Sequence, residues 1–395
     1  MILYKAIKNI TFAALTIAVV TITGCSTSHN RPAEHLLYSA TFSLDDSTSV
    51  VVLAENAEGG IVVKNGAERV FLESHSEGVY SVPVFGGSWI GEWDENIWSG
   101  VWIDSLREVD YRVKLEIRPL VEIKPVEVGA EMKLSIWDTS IGRLKLSQKR
   151  DSVWATVMTP TGDYRYQAGK IDTVTQKFIL GNFDGVHLFY FEGIISGDSI
   201  TDGVFKSGTH YATKWSGVKA ESEEVSWLSK QEWGRGEVVK FEGVGSDGNL
   251  EVWSNERFAS SGFKLLVVDV MGTWCPNCMD EIILLKELSL EYPEMLVVSM
   301  AFERSKGDAA LSRIARFKES LEIPWAVLYG GNASKSEADS LLSFMGGIKS
   351  FPTTAFIPLE GEPVIHTGFS GPATGKSYEE EVAFFRKTIE SLLGY

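Results

Sequence analysis

Two cysteines three residues apart, Cys275 and Cys278, are the residues of this sequence best suited to covalent chemistry. They follow an apolar run and open a predicted helix, with Pro276 suited to its first position. Unpaired backbone N–H groups and the helix dipole favour thiolate over thiol there. The spacing lets the two sulfur atoms close a small disulfide. We expect thiol–disulfide exchange, in which Cys275 attacks a disulfide and Cys278 resolves the mixed disulfide.

Two acidic residues near this pair could take the proton that Cys278 loses. Asp269 lies inside the apolar strand before the turn, where a carboxyl is costly to bury without purpose; the alternative is a capped strand-end carboxylate. Glu281 lies one turn beyond Cys278 and could instead be a favourable charge near a helix start. We expect the neighbouring Asp280 to be solvated.

The cysteine pair could alternatively be half of a zinc site. A structural zinc site needs four ligands, and this chain has only three cysteines. His187 and His210 would have to be recruited from another domain, so core or surface roles are favoured for both histidines. Thiol–disulfide exchange needs neither a metal nor an organic cofactor, and none is expected.

The elements that must position the cysteine pair lie between residues 237 and 395. The nearly continuous apolar run at 264–270 predicts a central strand covered on both faces. A helix over 276–292 and a strand over 295–300 follow, which together make a crossover unit. Later helices, a hairpin and a final amphipathic helix predict an α/β domain with a mixed central sheet flanked by helices.

Residues 36–220 alternate short β-branched and aromatic runs with turn signals. This pattern predicts an all-β domain, an antiparallel sandwich or small barrel of about ten strands. Trp89, Trp93, Trp98 and Trp102 could form an aromatic ligand platform, but large rings more often fill the core of a small barrel. We assign this domain no catalytic residue, and interpret residues 221–236 as a linker.

The first 24 residues have the order of a signal peptide. Lys5 and Lys8 precede an uncharged run that is shorter than the roughly 20 residues needed to span a bilayer. Thr23-Gly24-Cys25 resembles the lipobox of bacterial lipoproteins, and a lipid on Cys25 would account for the unpaired third cysteine. The alternative is an ordinary cleaved signal followed by a free cysteine. Residues 25–35 are then a tether.

The chain is acidic, with a formal net charge of −16 that becomes −18 when the two lysines of the signal peptide are removed. Such a charge favours solubility and argues against a nucleic-acid partner.

Two separated motifs, Trp274-Cys-Pro-Asn-Cys278 and Phe351-Pro-Thr-Thr354, resemble those of thioredoxin-fold domains of the TlpA/ResA type, which are extracytoplasmic thiol–disulfide oxidoreductases. The resemblance covers residues 237–395. It implies that Pro352 is a cis-proline facing the cysteines and that Phe351 offers backbone hydrogen bonds to a bound peptide. Without the family, Pro352 would be a proline at the first position of a strand.

We therefore expect substrate contacts from Trp274, Pro276, Phe351 and Pro352. By this resemblance, Glu281 corresponds to the acidic residue that follows the second cysteine in many TlpA/ResA-type domains. Asp269 corresponds instead to the buried aspartate of thioredoxin itself. Ile283 stands where many relatives have a proline that kinks the helix.

The predicted function is reduction of protein disulfides by a lipid-anchored, periplasm-facing protein, and oxidation of protein dithiols to disulfides is the second alternative. A membrane electron-donor protein would be its partner, and Ser26 after the anchored cysteine favours the outer membrane. One alternative is a non-catalytic binding module of the cell envelope. Another is a peroxiredoxin-like peroxidase, which Gly272 disfavours because a hydroxyl residue is expected three positions before the peroxidatic cysteine.

Overall fold

The computed structural model describes residues 37–105, 107, 110–120, 132–222, 230–231 and 239–395. The predicted signal peptide, the tether with Cys25 and much of the predicted linker lie outside these residues. The described residues all belong to one compact unit, residues 33–395. Within them, no helix is both long and apolar enough to cross a membrane.

The first part of the chain is a closed antiparallel barrel of eight strands. The strands are β1 (Leu37–Ser43), β2 (Ser49–Ala57), β3 (Gly60–Asn65), β4 (Glu68–Ser76), β5 (Val79–Ser81), β6 (Ser88–Asp94), β7 (Ile97–Ile103) and β8 (Arg112–Pro119). Pairing of β8 with β1 closes the barrel. Trp89, Trp98 and Trp102 are almost fully buried, and Phe42 packs edge-on against Trp89 and Trp102. The prediction that the rings fill a core is confirmed for these three tryptophans, whereas Trp93 is partly buried and packs against that core.

A second antiparallel sheet follows. Its strands are β9 (Lys133–Thr139), β10 (Gly142–Lys149), β11 (Ser152–Thr159), β12 (Gly162–Asp163), β13 (Gln167–Ile171), β14 (Lys177–Phe183), β15 (Leu188–Ser196), β16 (Ser199–Ser207) and β17 (Tyr211–Lys219). They are ordered β10-β9-β17-β16-β15-β14-β13-β11-β12, and β10 also pairs with β11. Antiparallel strands were expected here, but in a single sandwich or small barrel. The structure instead has a closed barrel and a separate second sheet. The difference arises because alternation of residue types predicts a strand but does not tell which other strand it pairs with.

The third sheet has eight strands and carries the helices. Its elements are β18 (Lys230–Gln231), β19 (Lys240–Val244), β20 (Leu250–Ser254), α1 (Asn255–Ala259), β21 (Leu265–Met271), α2 (Pro276–Glu291), β22 (Met295–Glu303), α3 (Asp308–Ser320), β23 (Ala326–Asn332), α4 (Lys335–Leu341), β24 (Thr353–Pro358), β25 (Val364–Thr367) and α5 (Lys376–Leu393). The strand order is β18-β25-β24-β21-β22-β23-β19-β20.

The centre of this sheet holds the candidate site. Strand β21 is buried along its whole length, runs parallel to β22 and antiparallel to β24, and leads directly into α2. Buried side chains of α2, α3 and α5 contribute to the core on one face, and those of α1 and α4 to the core on the other. The apolar run therefore forms the central strand predicted for it.

Candidate functional site

The two cysteines form a disulfide at the start of α2, with Cα atoms 5.3 Å apart. Cys275 is the N-cap residue, Pro276 is the first helical residue, and the backbone N–H of Cys278 donates to Cys275 Sγ at 3.2 Å. This N–H would also stabilise a Cys275 thiolate. Cys278 is fully buried, whereas Cys275 is 6% exposed. Cys275 is therefore the sulfur that a substrate can reach.

The loop before β24 faces this sulfur. The Phe351–Pro352 peptide bond is cis, and Cys275 Sγ lies 3.7 Å from the carbonyl oxygen of Phe351. The Phe351 ring packs edge-on against Trp274, whose indole N–H donates to the carbonyl of Phe302 at 2.8 Å. The residues from which substrate contacts are expected thus lie around the disulfide, with Pro352 itself buried.

A cavity of about 360 Å³ opens beside the disulfide. Part of its lining comes from the turn that carries the cysteine pair and from Phe351. The rest comes from the second sheet and its loops, and includes Tyr164, Asp184, His187 and Phe189. From the sequence, no residue of the 36–220 region was expected at the site. The structure differs from this expectation because the second sheet and its loops pack directly against the turn that carries the cysteine pair.

The short strand β12 makes this contact with the residues around the cysteine pair. Asp163 accepts a hydrogen bond from the backbone N–H of Gly371 at 2.7 Å. Gly162 has a φ of 149°, and a Cβ added there would collide with the amide of Asn277, between the two cysteines. The Asn277 side chain could shift, but a φ of 149° is strained for any residue with a Cβ, so glycine suits this position. The cavity lined by Cys275 offers a substrate a path to its sulfur.

Arg165 links the second sheet to helix α2. Its guanidinium pairs with Asp280 and with Glu68 of the barrel, and it donates to the carbonyl of Pro276 at 3.3 Å. Asp280 is only 7% exposed, so the expectation that it is solvated is wrong. Burial raises the pKa of Asp280 to about 7, while the charge of Arg165 opposes that rise. Glu68, Arg165 and Asp280 form a buried cluster that joins the barrel, the second sheet and helix α2 beside the cysteine pair.

The two candidate acids are both fully buried. Asp269 lies opposite Ser299 in β22 and Thr354 in β24, and accepts a hydrogen bond from the Ser299 hydroxyl at 2.8 Å. The hydroxyl of Thr354 donates to Glu281. Burial raises the pKa of Asp269 to about 7. Burial, and then the charge of Asp269, raise the pKa of Glu281 well above its usual value.

These raised pKa values predict a stability that falls with pH. Between pH 3.8, the ordinary pKa of an aspartate, and about pH 7, folded Asp269 keeps a proton that the unfolded chain has lost. The free energy of unfolding should then fall by up to about 1.4 kcal/mol per pH unit for that proton. In Asp269→Asn this contribution is absent, so urea midpoints measured from pH 4 to pH 8 should fall less steeply than in the wild type.

The matched control is Asp198→Asn, because the side chain of Asp198 is 85% exposed. Its midpoints should follow the wild-type curve. Parallel curves for the wild type and Asp269→Asn would show that Asp269 titrates normally in the folded protein.

No protein-family model matches this chain. No curated protein matches it either. Among solved structures, it is similar to a hypothetical protein from Sinorhizobium meliloti, at 18% identity and a TM-score of 0.31 over 44% of this chain and 87% of that one. The thioredoxin domain of a thiol-disulfide oxidoreductase from Bacteroides vulgatus matches at 16% identity and a TM-score of 0.28, covering 40% of this chain and 98% of its own.

An exposed lipoprotein thioredoxin from Streptococcus pneumoniae matches at 24% identity and a TM-score of 0.26, over 36% of this chain and 99% of its own. Part of this chain is thus similar to thioredoxin-like proteins.

Proposed function

We propose that this protein is a thiol–disulfide oxidoreductase in which Cys275 and Cys278 alternate between a dithiol and a disulfide. Residues 237–395 are its thioredoxin-like domain, of the TlpA/ResA type. The observation that carries the proposal is the disulfide at the N-terminus of α2, whose less buried sulfur faces Phe351 and an open cavity. A bare scaffold would not require a cysteine pair in this geometry.

The proposed cycle begins with the Cys275 thiolate, which the start of α2 stabilises. It attacks one sulfur of a substrate disulfide, and the other substrate sulfur leaves as a thiolate that takes up a proton. Cys278 then loses its proton and attacks Cys275, which releases the second substrate thiol and closes the disulfide. The buried acids Asp269 and Glu281 are the proposed acceptors of the Cys278 proton.

The proposed direction is reduction of protein disulfides in the cell envelope, with the dithiol regenerated by a membrane electron-donor protein. Anchoring through a lipid on Cys25 and a location facing the periplasm, with the outer membrane favoured, complete the proposal. Their support is the order of the N-terminal sequence. Mass spectrometry of the N-terminal peptide tests the anchor, and an unmodified Cys25 would remove it.

The activity is tested with insulin as a disulfide substrate. The purified protein is reduced, freed of reductant and mixed with insulin, and the thiols of both proteins are counted by mass-tagging. One insulin disulfide should be reduced for each Cys275–Cys278 disulfide that forms. If the reduced protein keeps both thiols and insulin stays oxidised, the binding-module alternative is favoured instead.

A further inference from the structure

The cavity beside the disulfide adjoins a larger one. The second cavity has a volume of about 500 Å³ and shares Tyr164, His187 and Phe189 with the first. The two volumes fall in the range of sites for small molecules, roughly 300–1,000 Å³. Phe205 contributes a further apolar wall. A ligand that reaches Cys275 through the first cavity therefore has room for its distal end in the second.

The charge that lines the second cavity is positive. Arg107 and Arg304 both line it, and among its described lining residues there is no carboxylate. Arg107 is held in place by Asp104, by the ring of Tyr111 and by Nε2 of His210, to which it donates at 3.1 Å. Burial, and then the Arg107 charge, lower the pKa of His210, as expected for a neutral acceptor.

Arg304 connects this charge to the redox centre. Its guanidinium lies 4.5 Å from the centre of the Trp274 ring, and Trp274 immediately precedes Cys275 and lines the first cavity. A planar guanidinium held on an aromatic face leaves its N–H edge available for a carboxylate. His187, by contrast, pairs with Asp184 at 3.0 Å and stacks on Phe189. We therefore treat its ring as part of the cavity wall and not as a group that binds an anion.

We propose that the second cavity binds the carboxylate end of a small anionic disulfide, whose sulfur atoms then lie in the first cavity at Cys275. This deepens the proposed thiol–disulfide exchange and rests on it. Gly162 lies against Asn277 and Cys275 is only 6% exposed, so the approach to its sulfur is narrow enough to suit a small disulfide.

Atoms and electrons balance within one turnover, and no further reactant is needed. The reduced protein and the disulfide RSSR give the Cys275–Cys278 disulfide and two molecules of RSH. The protein loses two electrons and two protons, and the substrate gains both. The carboxylates take no part in the bond changes and serve only to hold the ligand in the second cavity.

The test compares three small disulfides that differ in charge: 3,3′-dithiodipropionate (anionic), 2-hydroxyethyl disulfide (neutral) and cystamine (cationic). The rate at which each oxidises the reduced protein is divided by its rate with dithiothreitol, which corrects for intrinsic reactivity. The normalised rate should be highest for dithiodipropionate, by about tenfold over the neutral disulfide, the size expected of one charge-assisted hydrogen bond. The protein's net charge of −16 would by itself produce the opposite order.

Arg304→Gln should remove about tenfold from the dithiodipropionate rate, as one charge-assisted hydrogen bond is lost, and leave the neutral rate within about twofold. The control is Arg69→Gln, which removes one positive charge from a side chain that is 62% exposed on the barrel; its rates should match the wild type. Equal normalised rates for all three disulfides, or equal losses for all in Arg304→Gln, would overturn the inference while leaving the exchange activity intact. Failure of the reduced wild type to react with any disulfide, including insulin, would instead overturn the proposed function.

Discussion

Replacing Cys275 with serine is expected to reduce the disulfide-reductase activity to the rate of the uncatalysed reaction. Cys275 provides the only sulfur of the pair that a substrate can reach, because Cys278 is fully buried. A serine hydroxyl stays protonated where a thiol at the same helix start would ionise, so no nucleophile remains. The reduction of insulin, followed by its precipitation and by thiol counting, measures the loss.

Replacing Cys278 with serine has a different expected result. Cys275 can still attack the substrate, but no second sulfur displaces the product, so a mixed disulfide accumulates. It should be visible as an added mass equal to one whole insulin molecule, because opening a single disulfide leaves the two insulin chains joined, and dithiothreitol should remove this mass. Cys25→Ser is the matched control, because it removes a cysteine outside the pair, and it should reduce insulin as the wild type does. Full activity in Cys275→Ser, or trapping by Cys275→Ser in place of Cys278→Ser, would contradict the assigned roles.

Replacing Arg165 with methionine is expected to lower the free energy of unfolding by about 3–5 kcal/mol at pH 8, the range for removing one partner of a buried ion pair. The substitution keeps much of the side-chain volume but leaves Glu68 and Asp280 buried without their cation. Asp163 also lies in the field of this guanidinium, whose charge opposes the rise that burial causes in its pKa. The urea midpoint measures the loss.

The loss in Arg165→Met should be smaller at pH 5 than at pH 8. Burial already raises the pKa of Asp280 to about 7, and Arg165 lowers it, so removal of the arginine raises it further. A carboxyl with a raised pKa is stable in its neutral form at low pH and destabilises the fold as pH rises. Adding Asp280→Asn to the variant should therefore restore part of the loss at pH 8.

Arg112→Met is the matched control for Arg165→Met, because Arg112 forms an ion pair with Asp110 and both side chains are more than half exposed. Its free energy of unfolding should stay within about 0.5 kcal/mol of the wild type. A comparable loss in both variants would mean that the buried cluster adds nothing beyond an ordinary surface pair.

The elements around the cysteine pair could be predicted because their signals are local. The apolar run before the turn indicated strand β21, and Pro276 with the two cysteines indicated the start of α2. The predicted hairpin after Pro352 is present as β24 and β25. In each case the relevant residues lie within one or two turns or strands of each other, where periodicity and helix-end chemistry are sufficient.

The assignment of the acids could be predicted only in part. A carboxyl in the middle of an apolar strand identified Asp269 as a buried group, and the structure places it there. For Glu281 the local sequence left two alternatives open, a proton acceptor or a favourable charge near a helix start. Asp280 was expected in solvent, and it is buried because Arg165 reaches it from a different sheet, 115 residues earlier in the chain.

By itself, the sequence determined the redox chemistry proposed here: a cysteine pair at the start of a helix, a proline before a strand and a buried acid. Each depends on neighbours a few residues away, where backbone geometry is nearly fixed by residue type. Only the tertiary structure decided what a substrate meets on its way to Cys275. The Gly162 turn, the Arg165 cluster and the cavity between Arg107 and Arg304 depend on packing between sheets that no local pattern encodes.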